Sequence, residues 1–404
     1  MRVTARGYGV LAVGALLLVA GFGLGYPELA TLGCAATVAT VGALCFVAWR
    51  PSLTIVRAAD PDRLHRGQSS MVTLSINNAS RFFGASLVAR DRVTQNAAQG
   101  TPARGSTYGG TVAVPLVRLR PGRTTTVRYP VPTRRRGVVA VGPLEISRHD
   151  PLGLVAVVRR YGEPVTVWVR PRVHPVVAVP VGLSRSMDGR VDRVPQGNLT
   201  FSALREYVVG DDLRHVHWRT SARVGSLMVR EHVDTSLPRV VVLLDDRAAA
   251  HGLNRSAADG ESTFEAVCEA AASVVVAASR EDIWVELRLV SGASAEGHRE
   301  AEVGPMLDLL AEAWLRETTE TPDLQTAVQS LRARRLGDTL IYLTGPPNVD
   351  DLGTVAALRG AYPSIIAAVF GPLEAGLATE SGMLVVACVD GADFAGAWDG
   401  IRAW

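Results

Sequence analysis

The stretch VVVLLDD, residues 240–246, decides how the second half of the chain folds. Its five apolar residues form an unbroken run, which is typical of a strand that is buried on both faces of a sheet. Two carboxylates, Asp245 and Asp246, follow directly where such a strand would end. Because a strand of this kind needs helices on both faces of its sheet, the run predicts an α/β domain.

Helix and strand patterns alternate on the C-terminal side of this run. Apolar residues at 264, 267, 268, 271 and 275 have the spacing of an amphipathic helix, and further helices are predicted at residues 303–316 and 323–334. Further apolar strands are predicted at residues 285–290, 339–343, 365–370 and 383–389. This alternation predicts a doubly wound α/β domain over residues 237–404.

The N-terminus carries two long apolar segments, residues 7–26 and 29–49, neither of which contains a charge. Each is long enough to cross a hydrocarbon core of ~30 Å as a helix. Arginines flank the outer ends, and the short connection carries only Glu28. The positive-inside rule therefore predicts a two-pass plasma-membrane hairpin over residues 1–50, with both termini and the soluble domains in the cytoplasm.

Between the hairpin and residue 180 the pattern changes to an alternation of apolar and polar residues, as at Val72, Leu74 and Ile76. Short alternating runs separated by turn residues predict an immunoglobulin-like β-sandwich over residues 51–180. A basic cluster, Arg134-Arg135-Arg136, is either a solvated loop or a contact for anionic lipid head groups.

Composition excludes several classes of function. A net charge of +3 does not provide the basic field that nucleic-acid binding requires. The four cysteines, at positions 34, 45, 268 and 388, have neither zinc-ligand spacing nor the pattern of a disulfide framework. No cofactor is implied by any motif.

The densest polar stretch, residues 204–232, lies in a predicted connector over residues 181–236. Two interpretations are open. The first is a metal-dependent hydrolase that uses the cluster Asp211, Asp212, His215 and His217, although the spacing is poor for a preformed metal site. The second is a network of paired arginines and carboxylates that joins two domains or offers a docking surface.

The same stretch resembles the signature of the family called "domain of unknown function 58". The resemblance is carried by residues 204–214, Trp218-Arg219, Ala222-Arg223 and residues 227–231, with upstream matches at residues 135–137, 142–143 and 150–154. One departure is His217, where an Asp or Asn is commoner in the family. The matching residues predicted to act in interaction are Arg205, Glu206, Tyr207, Gly210, Asp211, Asp212, Arg214, Trp218, Arg219, Ala222 and Arg223.

Membership implies a C-terminal domain like von Willebrand factor type A and an association with a MoxR-type AAA+ ATPase, often together with a transglutaminase-like membrane protein. The implied role is a membrane-anchored scaffold or adaptor in the assembly of envelope or other protein complexes, and not an enzyme. A type A domain often holds a metal ion through Asp-x-Ser-x-Ser after its first strand. Here the sequence is Asp245-Asp246-Arg247-Ala248-Ala249, so Asp245 and Asp246 are at most a weak remnant of that site.

Overall fold

The computed structural model divides into two compact units, Met1–Arg170 and Pro171–Trp404. The residues it describes are 2–48, 53–79, 88–95, 109–114, 122–177, 179, 184–185, 191–192, 203–207, 216–231, 239–252, 257–316, 323–334, 337–346, 349–372 and 383–401.

The first unit begins with two apolar helices, α1 (Ala5–Leu24) and α2 (Pro27–Ala48). Gly7, Gly14 and Gly21 of α1 are its buried residues, spaced one heptad apart. A Cβ at Gly21 would lie 2.5 Å from the Ala30 nitrogen, and one at Gly14 would lie 3.0 Å from the Ala36 Cβ. The two helices therefore pack at a distance that only small residues permit.

The outward faces of both helices are apolar. Leu16 is 68% exposed and Phe22 is 78% exposed. By length and composition, three described helical segments could cross a membrane: Ala5–Leu24, Pro27–Ala48 and Gly260–Arg280. The third is 78% buried inside the protein, against 17% and 22% for the first two. The exposed apolar faces of α1 and α2 therefore indicate a membrane anchor, as predicted.

The other described elements of the first unit are strands. These are β1 (Arg2–Val3), β2 (Leu53–Asp60), β3 (Arg63–His65), β4 (Met71–Asn78), β5 (Val88–Gln95), β6 (Gly109–Val114), β7 (Thr124–Pro130), β8 (Gly137–His149), β9 (Val155–Tyr161) and β10 (Val165–Arg170). One sheet has the order β2-β4-β7. The other has the order β1-β9-β8-β10-β3, with β5 paired to β8 and β6 paired to β5.

The two sheets enclose one core. Val72, Leu74 and Ile76 of β4 are fully buried, and they belong to the same cluster as Val139 and Val167 of the larger sheet. The alternation on β4 thus separates a core face from a more exposed face, as the sequence predicts.

A buried ion pair lies between these sheets. The Arg57 guanidinium, 2% exposed, contacts the Asp91 carboxylate at 2.8 Å, and the Tyr129 hydroxyl donates to the same carboxylate. Burial, together with Asp91, raises the pKa of Tyr129, which keeps that hydroxyl a donor. Gly142 has a positive φ of 117°, and a Cβ there would lie 2.4 Å from Arg57 Nη1. The arginine therefore leaves room only for glycine at this position.

The second unit contains four short strands and one short helix before its main sheet: β11 (Ser184–Arg185), β12 (Val191–Asp192), β13 (Ala203–Glu206), α3 (Trp218–Val224) and β14 (Met228–Glu231). The main sheet contains β15 (Arg239–Leu244), β16 (Trp284–Leu289), β17 (Ser294–Gly297), β18 (Thr339–Thr344), β19 (Ser364–Phe370) and β20 (Leu384–Cys388). Its order is β17-β16-β15-β18-β19-β20. All neighbours are parallel except β16 and β17, an antiparallel edge that the sequence pattern does not predict.

Helices cover both faces of this sheet: α4 (Ala257–Arg280), α5 (Val303–Glu312), α6 (Leu324–Arg334), α7 (Val349–Ala356) and α8 (Gly391–Asp399). Val242 of β15 shares a cluster with α4, α5 and α8, whereas Val241 shares another with α6 and α7. The apolar run thus forms a strand buried on both faces, and the predicted α/β arrangement is confirmed.

The first residues of the second unit pack onto α4 and α8. His174 Nε2 lies 2.9 Å from Glu269 Oε2, and the Val177 amide donates to Asp399. These contacts place residues 171–177 with the α/β unit, whereas the alternating pattern predicts a β-domain that continues to residue 180.

Candidate functional site

The described part of the polar stretch forms a small ribbon with a helix between its strands. β13 pairs antiparallel with β14, so that Arg205 faces Val229 across the ribbon. The Tyr207 amide donates to the Leu227 carbonyl, and the Met228 amide donates to Ser221 Oγ of α3 at 2.8 Å. The sequence pattern predicts that Ala222, Val224, Leu227 and Val229 lead into a strand; the strand is present as β14, and Ala222 and Val224 lie in the helix α3 that precedes it.

His217 is the N-cap of α3. Its Nδ1 accepts the Thr220 amide at 3.2 Å and lies 2.7 Å from the Thr220 hydroxyl. Asp and Asn are preferred at N-caps because a side-chain oxygen accepts from this same amide. The imidazole nitrogen of His217 therefore takes the place of the side-chain oxygen that Asp or Asn supplies at an N-cap, and the departure from the resembled signature preserves the capping role. Gly225, with a positive φ of 82°, ends the helix.

The helix presents its side chains to solvent. Trp218 is 66% exposed, and Arg219, Ala222 and Arg223 are exposed as well. The part of the predicted network that lies on α3 is therefore exposed to solvent and not buried. Gly210, Asp211, Asp212, Arg214 and His215 lie outside the described residues, and of Arg205 and Glu206 only the backbone is described. The hydrolase alternative thus stays a prediction, with His217 the one member of its cluster that is described.

A second polar site lies where the main sheet ends. Asp245, directly after β15, is fully buried and binds the Arg247 guanidinium through both oxygens. The distances are 2.6 Å from Nη2 to Oδ2 and 2.9 Å from Nε to Oδ1. Asp351, near the start of α7, approaches the same guanidinium at 3.3 Å. Arg247 is thus a cation held between two carboxylates.

Two residues of β18 complete the surroundings of Asp245. The Tyr342 hydroxyl donates to Asp245 Oδ2 at 2.7 Å, and Thr344 Oγ1 lies 3.5 Å from the same oxygen. Burial, followed by the charge of Asp245, raises the pKa of Tyr342, so its proton stays in place. Burial alone would lower the pKa of Arg247, but the hydrogen bonds and charge of Asp245 outweigh it and the pKa is raised. The acid that a metal-ion site would use is therefore already neutralised by an internal arginine.

Asp246 has different surroundings. Its Oδ1 accepts the Ser291 amide at 3.0 Å, while Oδ2 is buried with no hydrogen-bond partner and lies 3.8 Å from Arg316 Nε. Burial raises the pKa of this carboxyl, and the neighbouring Asp245 charge adds to the effect. Within the described residues there is no group of three or more His, Cys, Asp or Glu side chains that could hold a metal ion.

Apolar N-terminal helices followed by mixed α/β sheets define a multidomain protein with a membrane anchor. Residues 203–338, about a third of the chain, match the model of the family described as "Protein of unknown function DUF58", which confirms the resemblance predicted from the sequence. The match begins at β13, and it includes α3 and the Asp245–Arg247 site.

No curated protein matches the chain. Among solved structures, the chain is similar to an alkylpurine DNA glycosylase from Pseudomonas fluorescens at 13% identity, covering 38% of this chain and 42% of that one, with a TM-score of 0.23. It is also similar to a CARDB domain from Pyrococcus furiosus (18% identity, 30% and 93% covered, TM-score 0.19) and a putative ApaA protein from Bordetella pertussis (14% identity, 30% and 94% covered, TM-score 0.19). Likenesses at these scores carry no argument about fold or function.

Proposed function

We propose that this protein is a membrane-anchored adaptor that binds a partner protein through α3. Trp218, largely exposed on a helix that is capped at both ends, carries the proposal. Exposed tryptophan and arginine side chains are the residue types that dominate protein–protein interfaces. Trp218, Arg219 and Arg223 are all exposed residues of α3, inside the segment that matches the family.

The proposed partner is a MoxR-type AAA+ ATPase, from the family resemblance, and a transglutaminase-like membrane protein is a further candidate. In this role the chain is a scaffold in the assembly of envelope or other protein complexes, without enzymatic activity of its own.

For the folds of the two soluble parts we propose an immunoglobulin-like sandwich and a von Willebrand type A-like domain. Two sheets around one core support the first, and a mostly parallel sheet with helices on both faces supports the second.

Co-purification tests the partner directly. The full chain, extracted in detergent from its native membrane with and without ATP, is expected to retain an AAA+ ATPase. Trp218→Ala and Arg219→Ala should each abolish this recovery. Matched controls are Val177→Ala, which alters a side chain that is 79% exposed, and Arg332→Ala on the exposed face of α6. Absence of any AAA+ protein from the wild-type sample, or equal loss in the control variants, would contradict the proposal.

We also propose that α1 and α2 both span the plasma membrane and that both termini and the soluble units are cytoplasmic. A cysteine placed at Tyr26, 57% exposed after the end of α1, should react with a membrane-impermeant reagent from outside intact cells. A cysteine at Ser69, an exposed residue in the strand-rich part of the first unit (residues 53–170, the β unit), should react only after lysis. The reverse result would invert the orientation.

A further inference from the structure

The outer ends of the apolar hairpin contact the turn at residues 150–154 and the strand β9 that follows it. The Asp150 carboxylate, in a residue only 4% exposed, accepts the Leu152 and Val155 amides at 3.0 and 2.6 Å. Gly153 has a positive φ of 69°. Hydrogen bonds at both carboxylate oxygens hold the turn in one conformation.

The start of α1 is bonded to this turn. Thr4, the N-cap of α1, donates its hydroxyl to the Gly153 carbonyl at 2.7 Å and its amide to the Leu154 carbonyl at 2.9 Å. A Cβ at Gly7 would lie 2.3 Å from the Leu154 oxygen, so the first turn of α1 and the turn at 150–154 are in direct contact.

The end of α2 packs beside it. Ala43 and Val47 share a buried cluster with Leu154, Val155 and Val157. The Arg159 guanidinium reaches the carbonyl of Ala48, the last residue of α2, at 3.4 Å. The same edge of the unit therefore meets both outer ends of the hairpin.

Helix length sets the depth of this turn. α1 has 20 residues, which at ~1.5 Å per residue matches a hydrocarbon core of ~30 Å. If α1 spans the bilayer, as proposed above, then Thr4 lies at the membrane surface, and the turn bonded to it lies at the same level. Leu152 in the turn is 59% exposed, Arg6 in the first turn of α1 is exposed, and Arg159 on β9, whose guanidinium reaches the end of α2, is half-exposed.

We propose that the turn at residues 150–154 is seated in the bilayer interface, with Leu152 inserted among the lipids and with Arg6 and Arg159 on the phosphates of anionic phospholipids. An exposed apolar tip, with basic residues in the first turn of α1 and on β9, fits an anionic membrane surface, where each basic residue adds to the attraction. This seating fixes the tilt of the β unit on the membrane.

The basic cluster Arg134–Arg136 is not available for this contact. It precedes Gly137, the first residue of β8, whereas His149 at the other end of β8 precedes the turn. An extended strand of that length spans roughly 40 Å at ~3.3 Å per residue. The lipid interpretation of Arg134-Arg135-Arg136 is therefore replaced by Arg6 and Arg159.

Depth measurements with a fluorescent label test the seating. Cys34 and Cys45 are changed to alanine, while the buried Cys268 and Cys388 stay. The full chain is reconstituted into phosphatidylcholine–phosphatidylglycerol vesicles with an environment-sensitive label at Leu16→Cys, Leu152→Cys or Ser69→Cys. Ser69 lies at the far end of the β unit, where the Ser70 carbonyl accepts the Val131 amide.

The label at position 152 is expected to show blue-shifted emission and several-fold stronger quenching by lipid-borne quenchers than the label at position 69. Equal quenching at positions 152 and 69, with strong quenching at position 16, would overturn the seating and leave the anchor intact. Weak quenching at position 16 would overturn both the seating and the membrane anchor.

The cation contribution is tested by Arg159→Gln, which should reduce quenching at position 152 only when phosphatidylglycerol is present, whereas Arg134→Gln should not. An equal effect of the two variants would remove the assigned role of Arg159.

Discussion

The α/β unit contains two polar regions that look similar in sequence and differ in structure. At the end of β15 the charged side chains pair with one another, because Asp245 and Asp351 both contact the Arg247 guanidinium. On α3 the arginines and Trp218 face solvent. Density of charged residues alone therefore does not identify a binding surface. The difference is whether the fold supplies an internal partner for each charge.

Substitution at the internally paired site around Asp245 and Arg247 should change stability more than substitution on α3. Arg247→Ala leaves the Asp245 carboxylate buried without its cation, and we expect a loss of about 3 kcal/mol in the free energy of unfolding. Chemical denaturation measures this. Arg288→Ala is the matched control, because its guanidinium is 10% exposed but lies 3.9 Å from Glu286. A loss no larger than that of the control would show that the Arg247 pair contributes little.

A serine at the same position, in Arg247→Ser, should make the protein respond to metal ions. Without the guanidinium, Asp245, Asp351 and Thr344 leave oxygen ligands of the kind that Mg²⁺ prefers. We expect Mg²⁺ to raise the melting temperature of Arg247→Ser and not that of the wild type. Equal responses of the two proteins would contradict the view that Arg247 occupies the cation position.

The neighbouring acid should behave in the opposite way. Asp246→Asn removes a buried charge whose Oδ2 has no hydrogen-bond partner, so we expect a gain of about 1 kcal/mol at neutral pH. The pKa of Asp246 is raised above its usual 3.8 in the folded state, so the wild type is penalised as pH rises through the folded pKa. The gain should therefore vanish in acid. Asp245→Asn is the control and should be destabilising at neutral pH.

A smaller effect is expected at the cap of α3. His217→Ala removes the acceptor for the Thr220 amide and should cost about 1 kcal/mol in the free energy of unfolding. His217→Asp should restore the wild-type value, since a carboxylate makes the same bond. Hydrogen exchange at Thr220 would report the cap locally. Failure of aspartate to rescue would indicate that the imidazole has a function other than capping.

The smallest effect on folding is expected at Trp218. Because the side chain is exposed, Trp218→Ala should change the free energy of unfolding by less than about 0.5 kcal/mol. A much larger loss of stability, measured by thermal or chemical unfolding, would mean that Trp218 is a structural residue. That result would contradict the proposed docking surface.

Local patterns were sufficient to predict most of the fold. The run at residues 240–244 predicted β15, and the spacing of Phe264 and Val267 predicted the buried face of α4. The edge strand β17, with the sequence SAEG, has no apolar pattern, and so the sequence does not indicate it. Prediction fails where the deciding contact is not local.

The site shows the same limit. The sequence places Arg247 two residues after Asp245, where the metal-site motif has a serine. Its second partner, Asp351, is 104 residues away in the chain, so the pairing of Arg247 with Asp351 depends on the tertiary fold. His217 is the exception. Its departure from the resembled signature, together with the N-cap preference for Asp and Asn, is a signal that could have identified its role.

The central claim is that α3 binds a partner protein, and photo-crosslinking in native membranes tests it most directly. A photoreactive phenylalanine analogue replaces Ala222, exposed on α3 one turn after Trp218, in one sample and the exposed Val177 in the other. We expect an adduct with an AAA+ ATPase from position 222 and none from position 177. No adduct at position 222, or the same adducts at both positions, would contradict the claim.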